Sequence, residues 1–124
     1  MEMTGSSRLK ADRDTVWAAL NDPEVLKACI PGCESFEATG ENAFVAEVGA
    51  KIGPVKAKFK GNVELVDIVP SHSCRLVGEG TGGAAGFAKG GATVSLTDIE
   101  GGTELAYEVS ANMGGKIAQL GARL

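Results

Sequence analysis

The sequence predicts an α+β fold: a curved, seven-stranded antiparallel sheet, two short helices after the first strand, and the first turns of a C-terminal helix against the sheet. Three observations predict it. From Gly53 to Leu65, Val55, Ala57, Phe59, Gly61, Val63 and Leu65 alternate with Lys56, Lys58, Lys60, Asn62 and Glu64. This period of two marks an antiparallel strand with one face on a core and one in water. Asp12 and Asp22-Pro23 are paired helix-start signals close to the N-terminus. Glycine occurs 18 times, about twice its usual share of roughly 7%, and is concentrated after Gly78.

The first strand is expected over residues 1–10. Asp12 caps a short helix whose apolar side is Val16, Trp17, Ala19 and Leu20, and Asp14 favours the positive end of its dipole. Asn21-Asp22-Pro23 stops that helix and starts a second, with Val25, Leu26, Cys29 and Ile30 facing inward, and Pro31-Gly32 ends it. A weak strand over 34–39 turns at Gly40-Glu41-Asn42 into a strand over 43–51. The central strand runs to Val69, with a phase slip at Leu65-Val66-Asp67-Ile68 that predicts a bulge. A strand over 73–80 carries Cys74, Leu76 and Gly78 on one face. The block from Gly80 to Gly91 is rich in glycine and reads as bends or as a wall of small residues. Strands with Ala92, Val94 and Leu96, then Leu105, Tyr107, Val109, Ala111 and Met113, complete the sheet. Lys116, Ile117 and Leu120 begin a helical pattern that stops at Leu124, so the expected gripping helix is truncated and too short to cover the sheet.

The 124 residues suit one domain. A net charge of −4 and a pI near 5.0 argue against a general nucleic-acid binder. Lys56, Lys58 and Lys60 form a local basic patch, read either as a solvated sheet face or as a docking patch for an anionic membrane surface or acidic partner. Neither a signal peptide nor an apolar stretch of membrane-spanning length is visible. Cys29, Cys33 and Cys74 suggest a reducing compartment, and the Cys29-x3-Cys33 spacing does not match the usual zinc or redox pair. His72, the single histidine, sits in a Pro-Ser-His turn and reads as a surface residue. The glycine block has neither the dinucleotide fingerprint nor a phosphate-loop pattern, since Lys89 precedes Gly90-Gly91. No catalytic cluster, metal site or tightly bound cofactor is therefore expected.

The candidate inner face is Phe44, Ala46, Val48, Val55, Ala57, Phe59, Val63, Ala92, Val94, Leu105, Tyr107, Val109 and Met113. Its residues are mostly small and uncharged, which predicts a void for an apolar, elongated ligand. Phe44, Val48, Ala57, Phe59, Val94, Tyr107, Val109 and Met113 are the candidate ligand-lining residues, with Glu79 at a polar mouth.

Several stretches carry a family resemblance: Thr15-Val16-Trp17-Ala18-Ala19-Leu20-Asn21-Asp22-Pro23; Cys29-Ile30-Pro31-Gly32-Cys33; Gly53-Pro54-Val55-Lys56-Ala57 with Phe59-Lys60-Gly61; Gly78-Glu79-Gly80 through Gly90; and Gly114-Gly115-Lys116-Ile117-Ala118-Gln119-Leu120-Gly121. Together they span the whole chain, which resembles the carbon monoxide dehydrogenase subunit CoxG, within the polyketide cyclase/START-like (SRPBCC) superfamily of helix-grip folds. The resemblance implies a non-catalytic cytoplasmic accessory protein, peripheral to the inner face of the cell membrane. Its implied partners are a carbon monoxide dehydrogenase or related molybdenum hydroxylase and the membrane, and its implied ligand is a lipid or quinone. Two other classes stay open: a small cyclase or hydrolase using Glu79, Tyr107 or His72 as acid or base, and a self-associating structural protein or homo-oligomer.

Overall fold

The computed structural model describes residues 2–52, 54–83 and 86–115, without the side chains of Ala50, Ile52, Val55 and Ala57. The expected terminal helix from Lys116 onward lies outside the described residues. The order is β1 (Glu2–Leu9), α1 (Arg13–Leu20), α2 (Pro23–Cys29), β2 (Cys33–Gly40), β3 (Ala43–Ile52), β4 (Val55–Val69), β5 (Ser73–Thr81), β6 (Phe87–Ile99) and β7 (Gly102–Gly114). The strands form one curved antiparallel sheet in the order β1-β7-β6-β5-β4-β3-β2. Every connection from β2 to β7 is therefore a hairpin, and only β1 crosses to the far edge.

The helix signals act as the sequence predicts. Asp12 accepts from the Thr15 amide at 2.8 Å and Asp22 from the Glu24 amide at 3.0 Å. Hydrogen bonding from the Thr15 side chain, then its amide, holds the Asp12 carboxyl below its ordinary range. The favourable cap is thus present above the usual carboxylate range and is lost as pH falls through the lowered value. On α2 only one stripe is used: Leu26 and Ile30 pack on the core, while Val25 and Cys29, predicted inward, are exposed. The two pairs are adjacent i, i+4 stripes, and a helix at the sheet's rim needs only one. Pro31-Gly32 turns the chain with Gly32 at φ 78°, and the Gly32 carbonyl accepts from the Gly49 amide at 2.9 Å. That pins the turn to β3.

The expected bulge in β4 is present as a register shift against β5 between Val66 and Val69, with Asp67 at φ 51°. The largest departure from the sequence reading is β6. It starts at Phe87, inside the glycine block, rather than at Ala92. Ala88 and Gly90 keep the phase of Ala92 and pair with both β5 and β7, so two neighbouring ladders hold the strand despite its glycines.

The core sits at one end of the inner face. Val16 from α1 shares it with Phe36, Phe44, Ala46, Leu65, Cys74, Val94 and Leu96, with Trp17 and Leu20 packed alongside. Phe36 and Phe44 stack at 5.2 Å between centroids, tilted by 34°. The end of the sheet is tied to the helices by polar contacts. Arg13 reaches Asp98 at 2.9 Å, and Ser71 donates to Asp14 at 2.7 Å. Thr103 at the start of β7 is fully buried, and its hydroxyl donates to the Ala11 carbonyl at 2.7 Å.

Thr103→Val keeps the shape and leaves the Ala11 carbonyl without that donor. It should cost about 1–3 kcal/mol in urea unfolding, whereas Thr103→Ser, which keeps the hydroxyl, should cost less.

Candidate functional site

Cross-strand register decides what the inner face looks like. Directly opposed residues share a face, so the sheet can be read in rows across the strands. Nearest α1, the rows are Leu96–Leu105 and Cys74–Val94–Tyr107, followed by Leu65–Leu76–Ala92–Val109. These are filled mostly by leucine and valine side chains, with Cys74 and Tyr107. The next row is Phe44–Val63–Gly78–Gly90–Ala111, and beyond it lies Phe36–Ala46–Gly61–Gly80–Ala88–Met113. Away from the helices, the middle of the face is reduced to glycine and alanine.

The consequence is a trough of about 510 Å³ along the inner face, lined almost wholly by apolar atoms. Its volume lies in the range of small-molecule sites. Its floor is Gly61, Gly78, Gly80, Gly90, Ala88 and Ala111, with main chain of the intervening residues showing between them. Phe36, Val48 and Phe59 stand on one side, Leu76, Ala92 and Val109 on the other, and Ile30 reaches in from the end of α2. The glycines differ in kind. A Cβ on Gly90 would lie 2.4 Å from the Ser110 carbonyl oxygen, and one on Gly61 2.9 Å from that of Glu79. Close backbone approach demands glycine at both. A Cβ on Gly78 or Gly80 would meet its nearest atom at 3.2 or 3.3 Å, a fit that small shifts relieve. The ring of Phe59 lies over Gly82, where an added Cβ would come within 2.6 Å of it.

Of the ligand-lining candidates, Val48, Phe59 and Val109 line the trough. Phe44 and Val94 lie on the same face but are buried in the core. Tyr107 leans across its neighbour strand, its hydroxyl over Gly5 in β1. Met113 is opposite Ala88, at the β7 side of the same row. The Ala57 side chain lies outside the described residues. Glu79 stands between two floor glycines but is exposed, opposite Asn62 and Lys89 in the row that faces outward. The sheet alternation that empties the floor at Gly78 and Gly80 sends the side chain between them to the other face.

The lysines also face outward. Lys58 is 3.1 Å from Glu34, and Lys60 is 3.3 Å from Glu47. The hydrogen bond with Glu34, then the charges of Glu34 and Glu47, raise the Lys58 pKa. Lys56 is opposite Lys51 in the β3–β4 ladder, and both are exposed.

The candidate acid–base groups stand apart: Glu79 on the outer face, Tyr107 over β1, and His72 in the β4–β5 turn. The His72 ring accepts from Arg13 at 2.9 Å and donates to the Pro70 carbonyl at 2.9 Å, since a guanidinium can only donate. Cys29 is exposed, Cys33 is half-buried with its thiol 3.2 Å from the Ser35 carbonyl, and Cys74 is buried. Burial raises the Cys74 pKa, which keeps it a thiol at neutral pH. Among the described residues, no group of three His, Cys, Asp or Glu side chains is arranged to hold a metal ion. Likewise among them, no helix is long and apolar enough to cross a membrane.

A curved antiparallel sheet with two short helices after its first strand, and an apolar trough on the inner face, defines a protein of the helix-grip kind. The chain belongs to the CoxG family of carbon monoxide dehydrogenase subunits, whose profile matches residues 5–124. A conserved protein from Geobacillus kaustophilus has a similar crystal structure, with 38% identity and a TM-score of 0.90, over 99% of this chain and 81% of that one. A protein from Mycobacterium smegmatis shares the fold at 15% identity and a TM-score of 0.69, over 98% and 81% of the two chains. One from Chromobacterium violaceum does so at 19% identity and 0.67, over 89% and 78%. Comparison with curated proteins gives no match.

The two classes of floor glycine should separate on mutation. Gly90→Ala should destabilise the fold by about 1–3 kcal/mol, because a backbone carbonyl must move. Gly78→Ala should stay within about 1 kcal/mol of the parent, because only small shifts are needed. Chemical denaturation of both variants measures the difference.

Proposed function

We propose that the chain is a non-catalytic accessory protein that carries an apolar lipid or quinone in the trough. It would serve a molybdenum hydroxylase-type dehydrogenase at the inner face of the cytoplasmic membrane. The observation that carries the reading is the coincidence of family and site: a CoxG-family chain whose inner face has an apolar trough over a floor stripped of side chains. Family membership supports the accessory role and the dehydrogenase partner. The trough supports the ligand class.

The chemistry of the lining limits what fits. The walls offer no charged side chain of their own, so the ligand body is neutral. Each methylene moved out of water contributes about 0.8 kcal/mol, so a chain of a few carbons gives useful affinity without a polar anchor. The separation of Glu79, Tyr107 and His72 supports a carrier over a cyclase or hydrolase, since general acid–base work needs the groups within reach of one substrate.

The test is a fluorescence titration with an environment-sensitive apolar probe, competed by a quinone analogue. Gly78→Val places two methyl groups on the floor and should weaken probe binding about tenfold, the effect of roughly 1.4 kcal/mol. Val45→Thr, on the outer face, should leave it unchanged. Absence of saturable binding, or equal affinity in both variants, would discard the trough as the ligand site.

A further inference from the structure

The sheet has two outer strands, β1 and β2, and they are protected very differently. The β2 edge is irregular: its register with β3 slips between Cys33 and Ser35 and again between Ala38 and Gly40. It also has α2 packed beside it and carries Glu34 and Glu37, charges of one sign. Bulges, a covering element and like charges all discourage pairing with another strand. Among the described residues, the β1 edge has none of these defences. It pairs with β7 through unbroken register from Glu2 opposite Ser110 to Leu9 opposite Thr103. No proline or lysine interrupts it, and all but Gly5 of its residues are exposed. Among the described residues, β7 is the only strand paired with it. Its outer row of N–H and C=O groups is a regular template.

We propose that this edge is self-complementary, and that two copies of the chain pair β1 to β1, antiparallel, about a two-fold axis at Gly5. A two-fold axis perpendicular to the sheet keeps each side chain on its own face, so opposing residue numbers must sum to an even value. Centring on Gly5 sets Gly5 against Gly5, Thr4 against Ser6, Met3 against Ser7 and Glu2 against Arg8. The middle is small, so the two backbones approach freely. The outer-face ends are opposite charges, and symmetry makes that pair twice. Arg8 is well placed for it: its side chain is 81% exposed, and its contact with Glu104 is long, at 3.9 Å. A guanidinium has donors enough for both carboxylates. Met3, 51% exposed on the inner face, gains cover from the second strand. Moving the axis to Ser6 would set Arg8 against Thr4 and Glu2 against Lys10, which lies past the strand end at Leu9, so only the Gly5 register pairs opposite charges within the strand itself. One edge of this length gives a modest interface, with Kd on the order of 10–100 µM.

Sedimentation equilibrium of the full chain, from roughly 5 µM to 1 mM to bracket that Kd, tests the proposal. The wild type should show a monomer–dimer equilibrium. Glu2→Arg and Arg8→Glu should each weaken it by at least about tenfold, because each sets like charges across both ends of the pairing. The double variant E2R/R8E should return to within about threefold of the wild type, since opposite charges again face each other. Thermal melting confirms that each variant is folded, as both side chains are exposed. A chain that stays monomeric throughout would overturn the proposal. So would a dimer indifferent to the single reversals, or a double variant that fails to recover.

Discussion

The inner face depends on the backbone contact between β6 and β7 at Gly90, where the Ser110 carbonyl comes so close that no side chain can stand. That contact sits within ladders that run unbroken across the floor rows from β3 to β7, and the register there brings Gly61 opposite Gly80 and Gly78 opposite Gly90. Had either ladder slipped by one residue, Glu79 or Lys89 would point inward and the trough would fill with charge. The turns that hold the register matter for the same reason. The Gly82 amide donates to the Gly86 carbonyl at 2.8 Å, closing the β5–β6 connection, and Gly86 at φ 116° lies close against Gly114.

The two ends of the sheet do different work. At the helix end, branched residues and Val16 make a close-packed core, fastened by Arg13 to Asp98 and by Thr103 to Ala11. At the other end the side chains thin out and the trough begins. A face left open at the trough buries little there, so stability is concentrated where the helices dock. Val48, Phe59 and Phe36 mark the border along the β2–β4 side, where the sheet regains bulk.

Much of this is legible in the chain. The alternation from Val55 to Leu65, both helix caps, the Pro31-Gly32 turn and the bulge near Asp67 are local signals, and the structure uses each of them. The expected inner face has the right phase but is centred too close to the core. Phe44 and Val94 have the same periodicity as Val48 and Val109, and nothing local says which row a residue occupies. Tyr107 departs from its expected place because its ring leans over Gly5, a residue about a hundred positions away in sequence. Glu79, flanked by glycines, reads as a mouth residue, yet strand alternation assigns it to the outer face. The start of β6 is obscured because glycine reads as a breaker, although Ala88, Gly90 and Ala92 stand two apart. The lysine row is visible in sequence, but the pairing of Lys58 and Lys60 is not: Glu34 and Glu47 come from strands whose register only the sheet fixes.

A floor made of backbone has a property that a floor of side chains lacks: it has no rotamers. When a ligand settles on leucines or methionines, those side chains surrender part of their torsional freedom, at roughly 0.5–1.5 kcal/mol for each one immobilised. Gly61, Gly78, Gly80 and Gly90 have no torsions of that sort to lose. Contact with them costs almost no ordering of the protein, and the surface presented before binding is the surface presented after it. Such a floor cannot reshape itself around different occupants; only the walls, Phe59 and Val109 among them, have rotamers. For the proposed ligand, discrimination by that floor is therefore steric.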